Sequence, residues 1–459
     1  MNNPLEKIRF WIIGVLIKFA RKLKAKRLKN PVVRDTKSLF SKEIKIPVFI
    51  SSAFTVIAIY CMFVMGFAVN FKTMLAAAIF ITGSAVFFII YAKSREKTIL
   101  KDNDAVVLIC LLFIIAVLMF QILIEYISPF VSPVSAFALM SAMLLSPRLG
   151  TMHAVLLSLF MGFLNFMRFD IFFLMLGGGI IAVADLYNIR RRADFINTGI
   201  KIAVVNTTII SMFYFFGSYS VLEFERNIFY GLLNSAFVVI ILLVFMPLFE
   251  KLFSRTTSIK LIELSDFNNP LLKRLMIEAP GTYHHSVMTA DIAEQAANAI
   301  NDNSLLARVG AYYHDIGKLK NPQYFIENQT SGYNPHDELT PTMSNLILVS
   351  HVKDGITLAK KYNVDDEIID IIGQHHGTTL IHTFYHRALE ENPDVDIENF
   401  RYTGLKPTTK IAAIVMLSDS SEAACRSIEE PTVPRIKDTV EKIINNKFID
   451  GQFSDCPIT

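Results

Sequence analysis

Between Lys45 and Lys251 the chain is a succession of apolar runs, each near the roughly 20 residues that cross a bilayer. Eight spans are predicted: 46–70, 73–93, 105–124, 128–147, 149–167, 169–186, 201–222 and 227–249. The sixth is the weakest, because Asp170 and Asp185 bracket fourteen uncharged residues and Gly177-Gly178-Gly179 loosens a helix there. A re-entrant segment is the alternative, but an even count suits the loop charges better. Residues 10–20 are apolar, too short to span, and followed by Arg21, Lys22, Lys24, Lys26 and Arg27. That pattern predicts an interfacial amphipathic helix. A signal peptide is the alternative, but no small-residue cleavage site follows.

From about Glu250 the pattern changes to charged, helix-period segments with no convincing strand alternation. Residues 258–278 read as a connection broken at Asn269-Pro270. Helices are predicted over 283–300, 304–316, 341–362, 366–376, 381–390, 407–428 and 434–447, with Pro341 and Pro407 in first turns. A long polar loop, 321–339, is of a size that usually has a function. The fold expected is all-α: a basic N-terminal segment (1–45), a transmembrane helix bundle (46–249) and an all-helical domain (250–459).

Composition supports the membrane reading. Hydrophobic residues make up 52% and charged residues 19% of the 459, and mean hydropathy is +0.41. The net charge of +4 hides an asymmetry, since residues 1–45 hold thirteen Lys/Arg against Glu6, Asp35 and Glu43. A basic start beside a bilayer predicts attraction to anionic membrane lipid rather than to nucleic acid. Segments 94–104 and 187–200 are basic, which puts the N-terminus and everything after Leu252 in the cytoplasm. Cys61, Cys110, Cys425 and Cys456 form no paired spacing, so neither disulfides nor thiolate metal sites are expected. His153 is the one histidine in the bundle and reads as a packed residue. Intramembrane charge pairs are not expected, which argues against a transporter and leaves the bundle as sensor or anchor.

The chemistry is concentrated further on. Nine of the ten histidines fall between His284 and His386, and His285, His314-Asp315, His351, His375-His376 and Asp419 follow one another in the predicted helical domain. A lone buried histidine is usually a satisfied core residue. Seven candidates in one domain argue against coincidence, and five imidazoles with two carboxylates suit two adjacent metal ions. Adjacent helical residues project about 100° apart, so His314-Asp315 could grip one ion, or Asp315 could bridge to a second. Nitrogen and oxygen donors without thiolate suit iron, manganese or another first-row divalent ion. Helical geometry turns only one of His284 and His285 inward, and His336, His382 and His386 have no supporting pattern.

Several strings resemble the seven-transmembrane HD family of PgpH-type cyclic-di-AMP phosphodiesterases. They are Glu278-Ala279-Pro280-Gly281-Thr282-Tyr283-His284-His285-Ser286, Tyr313-His314-Asp315-Ile316-Gly317-Lys318-Leu319-Lys320 and Tyr324-Phe325-Ile326-Glu327-Asn328-Gln329. Asn334-Pro335-His336-Asp337, His351-Val352-Lys353-Asp354-Gly355 and His375-His376-Gly377-Thr378 add to them. The resemblance covers about 73–459. It implies an HD domain in which His285, His314, Asp315 and Asp419 hold one metal, and His351, His375 and His376 the other, with Asp315 bridging. The implied metals are iron or manganese. The implied reaction opens cyclic di-AMP to linear pApA by attack of a bridging hydroxide. Lys318 would stabilise charge on the phosphate, and Thr378 or Ser286 would donate to a phosphate oxygen.

The chain departs from the family pattern in two places. Family members carry a large extracytoplasmic domain after the first span, where this sequence has only Asn70 to Lys72. A further helical segment would also be expected beyond Asp455-Cys456-Pro457-Ile458-Thr459. Competing readings are the same metals acting on cyclic di-GMP or another nucleotide, and a catalytically silent nucleotide-binding membrane sensor. The cyclic-di-GMP branch carries a Gly-Tyr-Pro element, which is absent here. All seven ligand positions are filled, which disfavours a silent sensor. No basic, aromatic-interleaved stripe marks a nucleic-acid polymer as substrate. A homodimer through the membrane half is an open expectation.

Overall fold

The computed structural model describes residues 71–459, apart from 97, 98, 100, 101, 166, 167, 330, 331 and 459. The predicted first span and the helix at 10–20 lie outside the described residues. Every regular element among the described residues is helical, with one isolated antiparallel bridge between Leu380 and Arg401. The chain divides into two compact units, one ending at Thr257 and the other beginning at Ser258.

The first unit contains α1 (Phe71–Arg95), α2 (Asn103–Tyr126), α3 (Val134–Leu144), α4 (Pro147–Leu164), α5 (Phe169–Ala184), α6 (Asp194–Phe215) and α7 (Val221–Phe253). Among the described residues, four of its helices are long and apolar enough to cross a bilayer: α2, α6, α7, and α5 together with the 3-10 turn that extends it to Asn188. The predicted run 128–147 is not one helix. Pro129 and Pro133 lack amide donors, so the chain makes a 3-10 turn over Pro129–Val131 and starts α3 only at Val134. Eleven residues of α-helix reach about 16 Å, roughly half the thickness of the bilayer core.

The sixth predicted run does form a continuous helix, α5. Its glycines are contact points. A Cβ on Gly179 would lie 2.8 Å from Ala154 Cβ of α4, and one on Gly177 would lie 2.7 Å from Ile209 Cδ1 of α6. Small residues let neighbouring helices approach where apolar lipid gives them no other reason to associate. Charge pairs, which hydropathy did not suggest, tie helix ends together. Asp185 pairs with Lys201 and accepts from Thr198 at 2.7 Å, Arg192 reaches Glu250 at 3.2 Å, and Arg255 pairs with Asp102. Arg255 and Asp102 are 153 positions apart, so no local pattern could reveal them.

The second unit contains α8 (Ser258–Ser265), α9 (Pro270–Glu278), α10 (Pro280–Ala299), α11 (Ser304–Tyr313), α12 (Pro341–Lys361), α13 (Asp366–Gln374), α14 (His382–Glu391), α15 (Lys410–Arg426) and α16 (Val433–Ile449). The segment read as a connection is therefore two helices. Asn269 Oδ1 accepts the Leu271 amide at 3.0 Å to start α9, and Leu271, Leu272 and Leu275 join the buried core of α10, α11, α13 and α15. Pro407 lies outside α15: the Thr409 hydroxyl accepts the Ala412 amide at 3.1 Å and starts the helix at Lys410. The loop 321–339 is folded into three 3-10 turns, Pro322–Tyr324, Ile326–Asn328 and Pro335–Glu338.

Candidate metal centre

The core of the second unit brings five segments to one point. His285 projects from α10 and is 2% exposed, while its neighbour His284 faces outward. His314-Asp315 follow the last residue of α11, and His375-His376 follow the last residue of α13. His351 comes from the middle of α12 and Asp419 from α15. The donor atoms form two sets, Asp315 with His351, His375 and His376, and Asp315 with His285, His314 and Asp419, each within 4.8 Å of one another.

Asp315 belongs to both sets and offers each a different oxygen. Its Oδ2 lies 3.2 Å from His314 Nε2 and 3.7 Å from His285 Nε2. Its Oδ1 lies 3.3 Å from His351 Nε2 and 3.6 Å from His375 Nε2. Asp419 likewise has Oδ1 at 3.0 Å from His285 Nε2 and Oδ2 at 3.6 Å from His376 Nδ1.

The arrangement fits metal ions. His314, His351 and His375 direct Nδ1 at the carbonyls of Ala311, Leu348 and Ile372, at 2.7, 2.5 and 2.8 Å. A proton held at Nδ1 leaves the lone pair on Nε2 in each neutral ring. Yet His351 Nε2 and His375 Nε2 face each other at 3.3 Å, where two lone pairs repel unless a cation or a proton lies between them. His314 Nε2 and Asp315 Oδ1 are buried without a hydrogen-bond partner, a costly state that a bound ion relieves. Electrostatics point the same way. Burial acts against charge on His314, but Asp315 and Asp419 outweigh it and lift the ring to about 10. Burial also works against ionised Asp315 and Asp419, but His314 and Lys318 beside the first, and His285 and His314 beside the second, hold both well below the usual carboxylate range. Burial and the adjacent His375 hold His376 far below the usual histidine range, so it is neutral and able to ligate.

Lys318 lies in the site, nearly buried, with Nζ 2.7 Å from Asp315 Oδ2 and 2.7 Å from Glu327 Oε1. It also sits 4.9 Å over the Phe325 ring. The loop 321–339 thus delivers Glu327, which also accepts from Thr282 at 3.0 Å. Ser286 is buried with its hydroxyl unpartnered. The Thr378 amide and hydroxyl are engaged by Gln452, at 3.0 Å for each of the two shorter bonds. Tyr402 stacks on His376 at 4.2 Å between centroids.

Glu327, Tyr402 and Gln452 carry no ligand signal of their own. Glu422 alone had one: it follows Asp419 by three positions, on the same helical face.

One glycine is essential to the approach of the His314-Asp315 turn to α12. A Cβ on Gly317 would lie 1.8 Å from the His351 carbonyl oxygen and 2.5 Å from the Gly355 amide nitrogen. Gly317→Ala is expected to lower unfolding stability by about 1–3 kcal/mol, or more because the obstacle is backbone. Chemical denaturation measures this, and a variant as stable as the parent would contradict the close approach.

Comparison with known proteins agrees with this architecture. Residues 71–257 match the family described as 7TM receptor with intracellular HD hydrolase, and residues 282–424 match the HD domain. The chain thus carries, in order, a match to that membrane domain and a match to the HD domain. It is 37% identical over 392 residues to cyclic-di-AMP phosphodiesterase PgpH of Listeria monocytogenes, covering 83% of this chain and 55% of that protein. It is 36% identical over 389 residues to cyclic-di-AMP phosphodiesterase PgpH of Bacillus subtilis, covering 81% and 54%. The chain thus spans about half the length of these curated relatives. A crystal structure of the L. monocytogenes PgpH HD domain in complex with cyclic-di-AMP is 53% identical, covers 42% of this chain and 91% of that one, and superposes with a TM-score of 0.42.

Proposed function

We propose that the protein is a membrane-anchored phosphodiesterase that hydrolyses cyclic di-AMP to linear pApA at a pair of divalent ions, iron or manganese. The observation that carries this reading is Asp315, a buried carboxylate presenting one oxygen to each of two histidine clusters. Two ions held there would supply a hydroxide nucleophile at neutral pH and positive charge for the in-line displacement. His285, His314, Asp315 and Asp419 would hold one ion, and Asp315, His351, His375 and His376 the other. Lys318 holds Asp315 in register and places positive charge beside the phosphate, and Ser286 and Thr378 are the hydroxyls assigned to phosphate oxygens. The names of the two curated relatives support cyclic di-AMP as substrate. The basic loops 94–104 and 187–200 support a cytoplasmic N-terminus and HD domain.

The full chain, purified in detergent and supplied with Mn²⁺ or Fe²⁺, is expected to convert cyclic di-AMP to pApA faster than it opens cyclic di-GMP. Preferential opening of cyclic di-GMP would move the substrate to the other base. Folded protein with neither metal nor turnover would leave a nucleotide-binding sensor.

A further inference from the structure

Three of the metal-set histidines are oriented alike and a fourth differs. His314, His351 and His375 each meet the carbonyl three residues earlier, a neutral backbone acceptor. His285 Nδ1 instead meets the carboxylate of Glu422, which α15 delivers one turn beyond Asp419. Both groups are nearly buried, with side-chain exposures of 2% and 11%. The other Glu422 oxygen lies 3.7 Å from Arg426 Nη1, whose side chain is 39% exposed, so solvent weakens the charge that opposes it. A carboxylate acceptor makes the opposite ring nitrogen more basic than a carbonyl does.

The two ion positions therefore differ in charge. Asp419 and Glu422 add two carboxylates to the shared Asp315 around His285 and His314. Among the donors grouped with His351, His375 and His376, Asp315 is the one carboxylate, and Asp419 only borders this set, with Oδ2 3.6 Å from His376 Nδ1. Lys318 rests on the Asp315 oxygen that faces His314, but Glu327 balances its charge.

We propose that Glu422 is a positioning residue that makes the two metal positions unequal. The position of His285, His314 and Asp419 binds its divalent ion more tightly and keeps it after the position of His351, His375 and His376 has emptied. This rests on the two-metal reading above. Glu422 acts through His285: it fixes the ring with Nε2 toward the ion and raises the basicity of that nitrogen.

The test counts metal. The full chain in detergent, loaded with Co²⁺, is dialysed against graded chelator while bound cobalt is measured by atomic absorption and visible spectroscopy. The parent is expected to release its cobalt in two steps. Glu422→Ala should weaken the tighter step by about 10- to 100-fold and draw the two together. Glu422→Gln, whose amide oxygen still accepts Nδ1–H but carries no charge, should fall between, and it carries the test alone if the alanine variant does not fold. Unchanged melting of the metal-free proteins would exclude a packing role. Release from the parent in one step overturns the inequality, and identical release from parent and variants overturns Glu422 as its cause; either result leaves the two-metal reading intact. A parent that binds no cobalt overturns both.

Discussion

Replacing His314 and Asp315 together with alanine is expected to abolish turnover of cyclic di-AMP, by on the order of 10³-fold or more, if several kcal/mol of charge stabilisation is lost with the ions. The expectation follows from the division of one carboxylate between two clusters. Asp315 Oδ2 faces His314 and His285, and Oδ1 faces His351 and His375, so its loss takes a donor from both positions. His314 goes with it from the first. Metal content measured beside kcat is the check: bound metal should fall from about two ions per chain towards none. A folded double variant that still binds two ions, or keeps turnover within tenfold of the parent, would end the assignment.

Lys318→Ala comes next in expected size. Asp315 and Glu327 would then face each other across a buried space without the cation that now lies 2.7 Å from each. Removing one partner from a buried charge cluster costs about 3–5 kcal/mol. Burial works to raise the Glu327 carboxyl, and in the parent Lys318 outweighs burial and holds it low, so in the variant its pKa should rise. Adding Glu327→Gln removes the stranded charge. The pair of substitutions should therefore regain stability lost by the single one. Turnover is expected to stay down by about 10²-fold, the usual scale for losing a group that stabilises developing charge. Recovery of turnover along with stability would show that Lys318 serves only to hold Asp315.

The residues with metal-ligand chemistry were legible in the sequence because chemistry selects them: nine histidines in about a hundred residues, interleaved with Asp315 and Asp419, leave few other readings. The helices bearing them were legible from their period, except where a cap decided the boundary. Pro407 suggested a first turn, but the Thr409 hydroxyl three residues before Ala412 made the start. The α8–α9 segment was missed because eight- and nine-residue helices offer barely two turns of periodicity. In the membrane half hydropathy found the apolar runs but not the proline-broken entry to α3. Partners such as Glu422 on His285 and Glu327 on Lys318 were hidden for a different reason. Each pair is defined by tertiary approach, across 137 and 9 positions, and the spacing of Glu422 from Asp419 gives its helical face without naming its partner.

The backbone contacts of His314, His351 and His375 have a consequence for how ions enter and leave. Each ring is anchored by a carbonyl of its own chain segment, and each segment is held by the apolar core rather than by an ion. Backbone and core thus set the orientation of these three rings, whichever ion they hold. A zinc finger gathers its ligands only as it folds around its ion and unravels on losing it. Here one first-row cation could replace another with the domain intact, at a pace set by ligand exchange. The ion in place would then reflect supply in the surrounding compartment as much as selection by the protein.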